Sequence, residues 1–307
     1  MKMMKKRPIP KTDLRVSTIC LGTMTFGTPV VESKAIRLVH YAIDQGINFI
    51  DTANMYEGYN RVIGSSGGVA EEILGKALKN RRREVILATK VGMKVGENPE
   101  DEGISPSAIT KNLELSLKRL ATDVIDIYYL HKFDSNTPLM ETLNALQGHI
   151  KNGKIRYYGV SNYSAQQMKE LLQTADENGL PRPVICQPAL SLLKPEAVVD
   201  LLPLCKQEQI AVAPYQVLQG GLLTGKYRRG SSLPEGSRKA EKANWVWDLT
   251  DELFDQLEAI EAEAKKKNLS MIAYAIRWVL EQPVVVSAII GVKRQEQIDK
   301  AVTAGVY

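Results

Sequence analysis

Short apolar runs recur along the chain, and each is followed by residues patterned for a helix. Seven of them are INFI (47–50), VILAT (85–89), VIDIYYL (124–130), IRYYGV (155–160), VICQ (184–187), IAVAPY (210–215) and VVVSAII (284–290). Another short one, Thr18–Leu21, precedes them. Continuous apolar runs bounded by polar residues suit strands covered on both faces, as parallel strands are when helices connect them. The spacing predicts helices over 33–45, 69–79, 105–120, 138–151, 164–177 and 195–207, one from Thr250 to Lys267, and one from Arg294 onward. Ser105-Pro106 is a helix start signal and Asn152-Gly153 a stop. Eight strand–helix units within 307 residues match the count and size of a (β/α)8 barrel, the TIM barrel. A doubly wound dinucleotide sheet would open with a Gly-rich turn after its first strand, and GTMTFG (22–27) lacks that spacing. No linker-like stretch splits the chain, so one domain over 1–307 is expected.

Composition excludes several classes. The 40 basic and 35 acidic residues leave a net charge of +5 spread along the chain, a balance that helps attract an anionic cofactor. Lys5-Lys6-Arg7, Arg81-Arg82-Arg83 and Lys265-Lys266-Lys267 read as a frayed terminus and solvated helix ends. No aromatic residues interleave with them, so no nucleic-acid partner is expected. Cys20, Cys186 and Cys205 have no close spacing, which argues against a disulfide framework and a metal site. With no signal peptide and no run of membrane-spanning length, a cytoplasmic protein without a membrane partner is expected.

Four polar residues sit at or beyond the ends of these runs. Asp51 follows INFI, Lys90 follows VILAT, His131 follows VIDIYYL, and Tyr56 lies on the loop after Asp51. The C-terminal ends of barrel strands are where catalytic side chains gather. An ammonium beside a phenol lowers the phenol's pKa, a carboxylate holds the ammonium charged, and an imidazole can orient a carbonyl. Together they can hand a proton to a carbonyl oxygen, the proton step that a reductase needs beside its hydride donor. Asp126, five residues before His131, is displaced from that rim and reads as structural.

Two long connections, Glu57–Gly68 and Tyr215–Thr250, belong to the same end, where long loops serve as lids or binding segments. Trp245 and Trp247 are poor material for a bare loop and are expected at the substrate opening. Arg61 reads first as a solvated loop arginine, with an anionic substituent of the substrate as its alternative partner. The pair Lys293-Arg294, where a helix starts after the last strand, suits a ribose 2′-phosphate and favours NADPH over NADH. Gly220–Lys226 satisfies the G-x-x-x-x-G-K part of a P-loop, but Tyr227 stands where a hydroxyl must hold magnesium. Nucleotide hydrolysis is not expected.

GTMTFG (22–27), GINFIDTANMY (46–56), EEILGKAL (71–78), VILATKVG (85–92), LKRLATDVIDIYYLH (117–131), GKIRYYGVSNY (153–163) and GGLLTGKY (220–227) together resemble the aldo-keto reductase superfamily, in family order and over practically the whole chain. The likeness is greatest to the branch holding bacterial sugar and aldehyde reductases and potassium-channel β subunits. It implies that Asp51, Tyr56, Lys90 and His131 are the catalytic four, with Tyr56 as general acid. It implies that Ser161, Asn162 and Gln187 bind the nicotinamide carboxamide, that Tyr215 stacks on the ring, and that Gly22, Thr23 and Met24 line the same pocket. Leu218, Gly220, Leu222 and Lys226 would hold the pyrophosphate, and Gly291, Lys293, Arg294 and Gln297 the far end. Met24, Tyr56, His131, Trp245 and Trp247 would meet the substrate. Lys300 and Ala301 replace a common Glu-Asn pair, and Gln216-Val217 a common Ser-Pro. The function implied is NADPH-dependent reduction of a small aldehyde or ketone, sugar-derived ones included. The alternative is a non-catalytic NADPH-binding regulatory subunit of the channel type.

Overall fold

A computed structural model describes residues 4–306; residues 1–3 and 307 of the expected domain lie outside the described residues. The chain opens with a hairpin, β1 (Lys6–Pro8) and β2 (Arg15–Ser17). Strand and helix then alternate: β3 (Ile19–Gly22), α1 (Glu32–Asp44), β4 (Phe49–Asp51), α2 (Val69–Leu78), β5 (Ile86–Val91) and α3 (Pro106–Leu120). They continue with β6 (Ile125–Leu130), α4 (Leu139–Lys151), β7 (Ile155–Ser161), α5 (Ala165–Glu177), β8 (Ile185–Gln187), α6 (Leu201–Gln207) and β9 (Ala211–Val212). Three helices, α7 (Arg238–Glu241), α8 (Asp251–Lys266) and α9 (Met271–Glu281), precede β10 (Ala288–Gly291) and α10 (Gln295–Gly305).

The eight strands from β3 to β10 form one parallel sheet in the order β10-β3-β4-β5-β6-β7-β8-β9. The sheet closes on itself: the Val212 N–H donates to the Val284 carbonyl at 2.9 Å, and the Val286 N–H donates to the Val212 carbonyl at 2.8 Å. This is the (β/α)8 barrel that the alternation predicts. The last strands are shorter than their apolar runs. Pro214 has no N–H to continue the β9 ladder, and Val284–Val286 serve the closing bridge before β10 begins. The helix expected over 195–207 is broken into a 3-10 turn at Glu196–Val198 and α6, because Pro203 fits only the first turn of a helix.

Three features were not in the sequence reading. The β1–β2 hairpin, expected as a frayed terminus, sends Ile9, Leu14 and Val16 into the barrel's interior cluster. Arg7 donates to the Leu280 and Val285 carbonyls at 2.7 and 2.6 Å, so it is pinned rather than solvated. Helix α9 was also missed, although Met271, Ala275, Ile276, Val279 and Leu280 are buried at helical spacing behind an N-cap, Ser270. Arg82, expected on a solvated helix end, donates to Asp126 at 2.8 Å, as does Arg156. Asp126, itself buried, thus joins two partly exposed arginines in an ion-pair network away from the strand C-terminal rim.

Strand parity divides the core. Ile86, Ala88, Ile127, Tyr129, Phe49, Cys20 and Ile185 belong to the cluster inside the barrel. Their sequence neighbours Leu87, Tyr128, Leu130, Ile50, Leu21 and Cys186 pack beneath the helices. Successive side chains of a strand point to opposite faces, so Asp51, Lys90 and Gln187 share the inward parity of Phe49, Ile86 and Ile185. Tyr129 fits inside because its neighbour across the ladder is Gly159. A Cβ there would lie 2.6 Å from the Tyr129 ring and 2.7 Å from the Ile185 carbonyl oxygen. We expect Gly159→Ala to destabilise the fold by about 1–3 kcal/mol through overpacking. Denaturant unfolding measures this, and an unchanged midpoint would show that the interior can yield there.

Candidate active site

Lys90 lies one residue before the end of β5 with its side chain wholly buried, and its three ammonium protons find three acceptors. These are Asp51 Oδ2 at 2.6 Å, the Thr52 carbonyl at 2.8 Å and Tyr56 Oη at 3.1 Å. Asp51 ends β4, and its second oxygen accepts from Gln187 Nε2 at 2.8 Å. His131 follows β6, its ring edge-on to Tyr56 with centroids 6.1 Å apart. Its Nδ1 is buried without a hydrogen-bond partner. The structure therefore brings Asp51, Tyr56, Lys90 and His131 together at the strand C-terminal end.

Burial and charge set the protonation states. Burial pulls the Lys90 ammonium down, but Asp51 and Tyr56, by charge and hydrogen bond, more than restore it, so it is held above the ordinary lysine value and stays charged. Burial also pushes the Tyr56 phenol up; Lys90 pulls it back, and Asp51 adds to the rise. The phenol ends above its ordinary value. This corrects the sequence expectation of a lowered phenol, which weighed the cation and left out the burial of the phenol itself. His131 is driven well below the ordinary imidazole value by burial, then by Lys90 and Lys132, so it is neutral at pH 7.

A cavity of about 1270 Å³ opens above these groups. It exceeds the roughly 300–1,000 Å³ that suits one drug-sized ligand. Gly22, Thr23, Met24, Ser161, Asn162, Gln187, Tyr215, Leu218, Gly220, Lys226, Gly291, Lys293, Arg294, Gln297, Trp245 and Trp247 all border it. Leu222 does not: its side chain is buried with Leu223, Tyr227, Phe254 and Met271 in a satellite core, because the 3-10 turns over Gln219–Thr224 roll it away from the opening. Those turns also lack a P-loop's form, with Tyr227 buried in the same cluster. Gly221, at φ 102°, carries the Lys226 ammonium so closely that a Cβ would meet it at 2.7 Å. Tyr215 Oη donates to Asn162 Oδ1 at 2.6 Å, and Asn162 Nδ2 donates to the His131 carbonyl at 2.9 Å.

The far arm of the cavity is cationic. Lys226 is lowered by burial first and then by Lys293, Arg238 and Arg294. Lys293, Arg238 and Arg294 thus gather about Lys226, with one carboxylate near it, Glu241, which pairs with Lys293. A cluster so strained by its own charge fits a phosphate-bearing ligand. Arg238 and Glu241 were missed by sequence reading, although Ser237 caps their short helix by accepting from the Ala240 N–H. Gln297 Oε1 accepts from the Lys293 and Arg294 N–H groups at 2.6 and 3.1 Å, so it caps α10 as well as bordering the cavity. Arg61 is not the solvated residue expected: its side chain is 12 % exposed and bound within its own loop. Lys300 is exposed and Ala301 buried, neither bordering the cavity.

Among known proteins, the profile of the Aldo/keto reductase family matches residues 18–306. The uncharacterized oxidoreductase YrpG of Bacillus subtilis (strain 168) is 36% identical over 301 residues, 96% of this chain and 89% of its own length. A probable voltage-gated potassium channel subunit beta of Arabidopsis thaliana is 32% identical over 311 residues, 98% and 91% of the two chains. The glycerol dehydrogenase AKR11B4 from Gluconobacter oxydans superposes with a TM-score of 0.80 at 30% identity, over 98% of this chain and 90% of that one. Family-wide match, barrel topology and relatives agree: this chain belongs to the aldo-keto reductase family, whose members use NAD(P)H and act on small carbonyl compounds.

Proposed function

We propose that this protein is an NADPH-dependent reductase of aldehydes or ketones in which Tyr56 is the general acid. The observation that carries the proposal is the part-buried contact between the Lys90 ammonium and Tyr56 Oη. The ammonium donates, so the phenol accepts there and keeps its own proton for the cavity. A reduced nicotinamide bound in the cavity supplies a hydride to the carbonyl carbon. Tyr56 gives its proton to the carbonyl oxygen, and the phenolate left behind is stabilised by Lys90 until solvent reprotonates it. Neutral His131 borders the same space, with a ring nitrogen to orient the carbonyl oxygen. Asp51 keeps Lys90 charged and fixed.

In this reading Ser161, Asn162 and Gln187 would hold the carboxamide of a nicotinamide and Tyr215 its ring, and Gly22, Thr23 and Met24 would line the same pocket. Leu218, Gly220 and Lys226 hold the pyrophosphate, with Leu222 supporting that segment from the core. Gly291, Lys293 and Arg294 receive the 2′-phosphate, joined by Arg238. A non-catalytic cofactor-binding subunit is the second reading, drawn from the Arabidopsis relative. NADPH oxidation with a panel of aldehydes separates the two.

Tyr56→Phe should lower kcat by about 10²–10⁴-fold, the usual worth of a general acid, while NADPH affinity stays within about threefold. Stopped-flow reduction of a nitrobenzaldehyde checks this, and a loss under tenfold would remove Tyr56 from the role.

The pH dependence follows from the raised phenol. Reduction needs the protonated form, so its rate should hold across the neutral range and fall only as pH rises through the raised pKa. Lys90→Met, by removing the one group nearby that lowers it, should move that alkaline limb higher in whatever activity remains. A limb that moves lower would contradict the assignment.

Arg294→Ala should weaken NADPH by about 1–2 kcal/mol, five- to thirtyfold, and leave NADH nearly unchanged, since only NADPH carries the 2′-phosphate. Fluorescence titration of both cofactors measures the difference, and equal weakening of the two would place Arg294 elsewhere.

A further inference from the structure

We infer that Tyr59 is the positioning residue that sets Lys293 and Arg238 for the 2′-phosphate of the cofactor, so that the Glu57–Gly68 loop decides how strongly NADPH is held over NADH; this rests on the cofactor reading above. Tyr59 is 4 % exposed and does not border the cavity, while the groups packed around it do. The Lys293 ammonium stands 5.0 Å from its ring centroid, and Arg238 Nε donates to its hydroxyl at 3.4 Å. Trp245 meets the same ring edge-on, with centroids 5.3 Å apart. One phenol thus lies behind three cavity-lining side chains brought from two other segments of the chain.

Tyr59 can serve as a platform because its own place is fixed. It lies in the 3-10 turn Gly58–Asn60, and its N–H donates to the Thr28 carbonyl at 2.8 Å. Gly58, at φ 66°, lets this turn come down on Thr28: a Cβ there would fall 1.9 Å from the Thr28 carbonyl oxygen. The rest of the loop is braced from within. Arg61 Nη1 donates to the Val62 and Ser65 carbonyls at 2.8 and 3.1 Å, and Glu57 lies 3.7 Å from it.

The two cations need such a platform. Lysine and arginine side chains carry much rotamer freedom, and a ligand that must order them itself is bound less tightly. Lys293 donates to the Gly236 carbonyl at 3.1 Å, pairs with Glu241 and lies over the Tyr59 ring. The carboxylate competes with a phosphate for the ammonium. The ring instead attracts the cation through its negative face and leaves its charge free for an anion. The hydroxyl fixes Arg238 by accepting from Nε, which leaves the terminal N–H groups of the guanidinium for phosphate oxygens.

Isothermal titration of NADPH and NADH into the parent, Tyr59→Phe and Tyr59→Leu tests this. Tyr59→Phe keeps the ring and loses the hydroxyl, so NADPH should weaken by about threefold. Tyr59→Leu loses both holds and should weaken NADPH by roughly tenfold or more, with NADH within about twofold of the parent in each variant. A side chain that mattered only for packing would lower Tm and weaken both cofactors alike. NADPH affinity in Tyr59→Phe equal to the parent's, or equal weakening of the two cofactors in either variant, would overturn the inference; the Tyr59→Phe titrations decide it even if Tyr59→Leu does not fold. A parent that binds NADPH no better than NADH would instead remove the 2′-phosphate assignment, and this inference with it.

Discussion

A lysine ammonium fully buried at the mouth of the barrel is the constraint on which the site depends. Removing such a charge from water carries a penalty of several kcal/mol unless its partners are close and well directed. Here three acceptors meet its three protons, and two of them, Asp51 Oδ2 and Tyr56 Oη, are the groups that give the site its chemistry. Asp51 is itself held by Gln187 from across the barrel. The residue that keeps the lysine charged is thereby tied to one that borders the cavity. Stability and reactivity are bound together in one buried pair.

Two opposing effects act on Tyr56, and their balance differs from what the residue types suggest. The ammonium lowers the phenol, but burial raises it more. A phenol that stays protonated is a reservoir of proton rather than a preformed phenolate. In the proposed reduction the ammonium matters afterwards, when the proton has gone and the oxygen anion left on Tyr56 must be stabilised. Differential stabilisation of that later state is what accelerates a reaction.

The two long loops divide the cavity by charge. Tyr215–Thr250 contributes Lys226 and Arg238 to the cationic arm, while Glu57–Gly68 turns its arginine inward and neutralises it with its own glutamate. Tyr59 joins the two loops: Trp245 meets its ring edge, Lys293 lies 5.0 Å from its centroid, and Arg238 Nε donates to its hydroxyl at 3.4 Å. Such a junction lets the aromatic mouth and the cationic arm share one wall.

The sequence by itself determined the barrel and which polar residues gather at its candidate site, because apolar runs of strand length and the polar residues at their ends are local properties. Asp51, Lys90 and His131 were legible for that reason, and Asp126 could be set aside by its distance from the rim. Helix starts at Ser105 and Ser164 were legible too, since a cap needs only its neighbours. Strand parity was hidden inside the continuous runs, so which side of the sheet each residue faces waited on the closed barrel. The raised phenol, the inward-turned Arg61, the displaced Leu222 and the partners Arg238 and Glu241 were decided by tertiary structure alone. Each depends on burial or on contacts between segments far apart in the chain, and neither is written in the residues next to it.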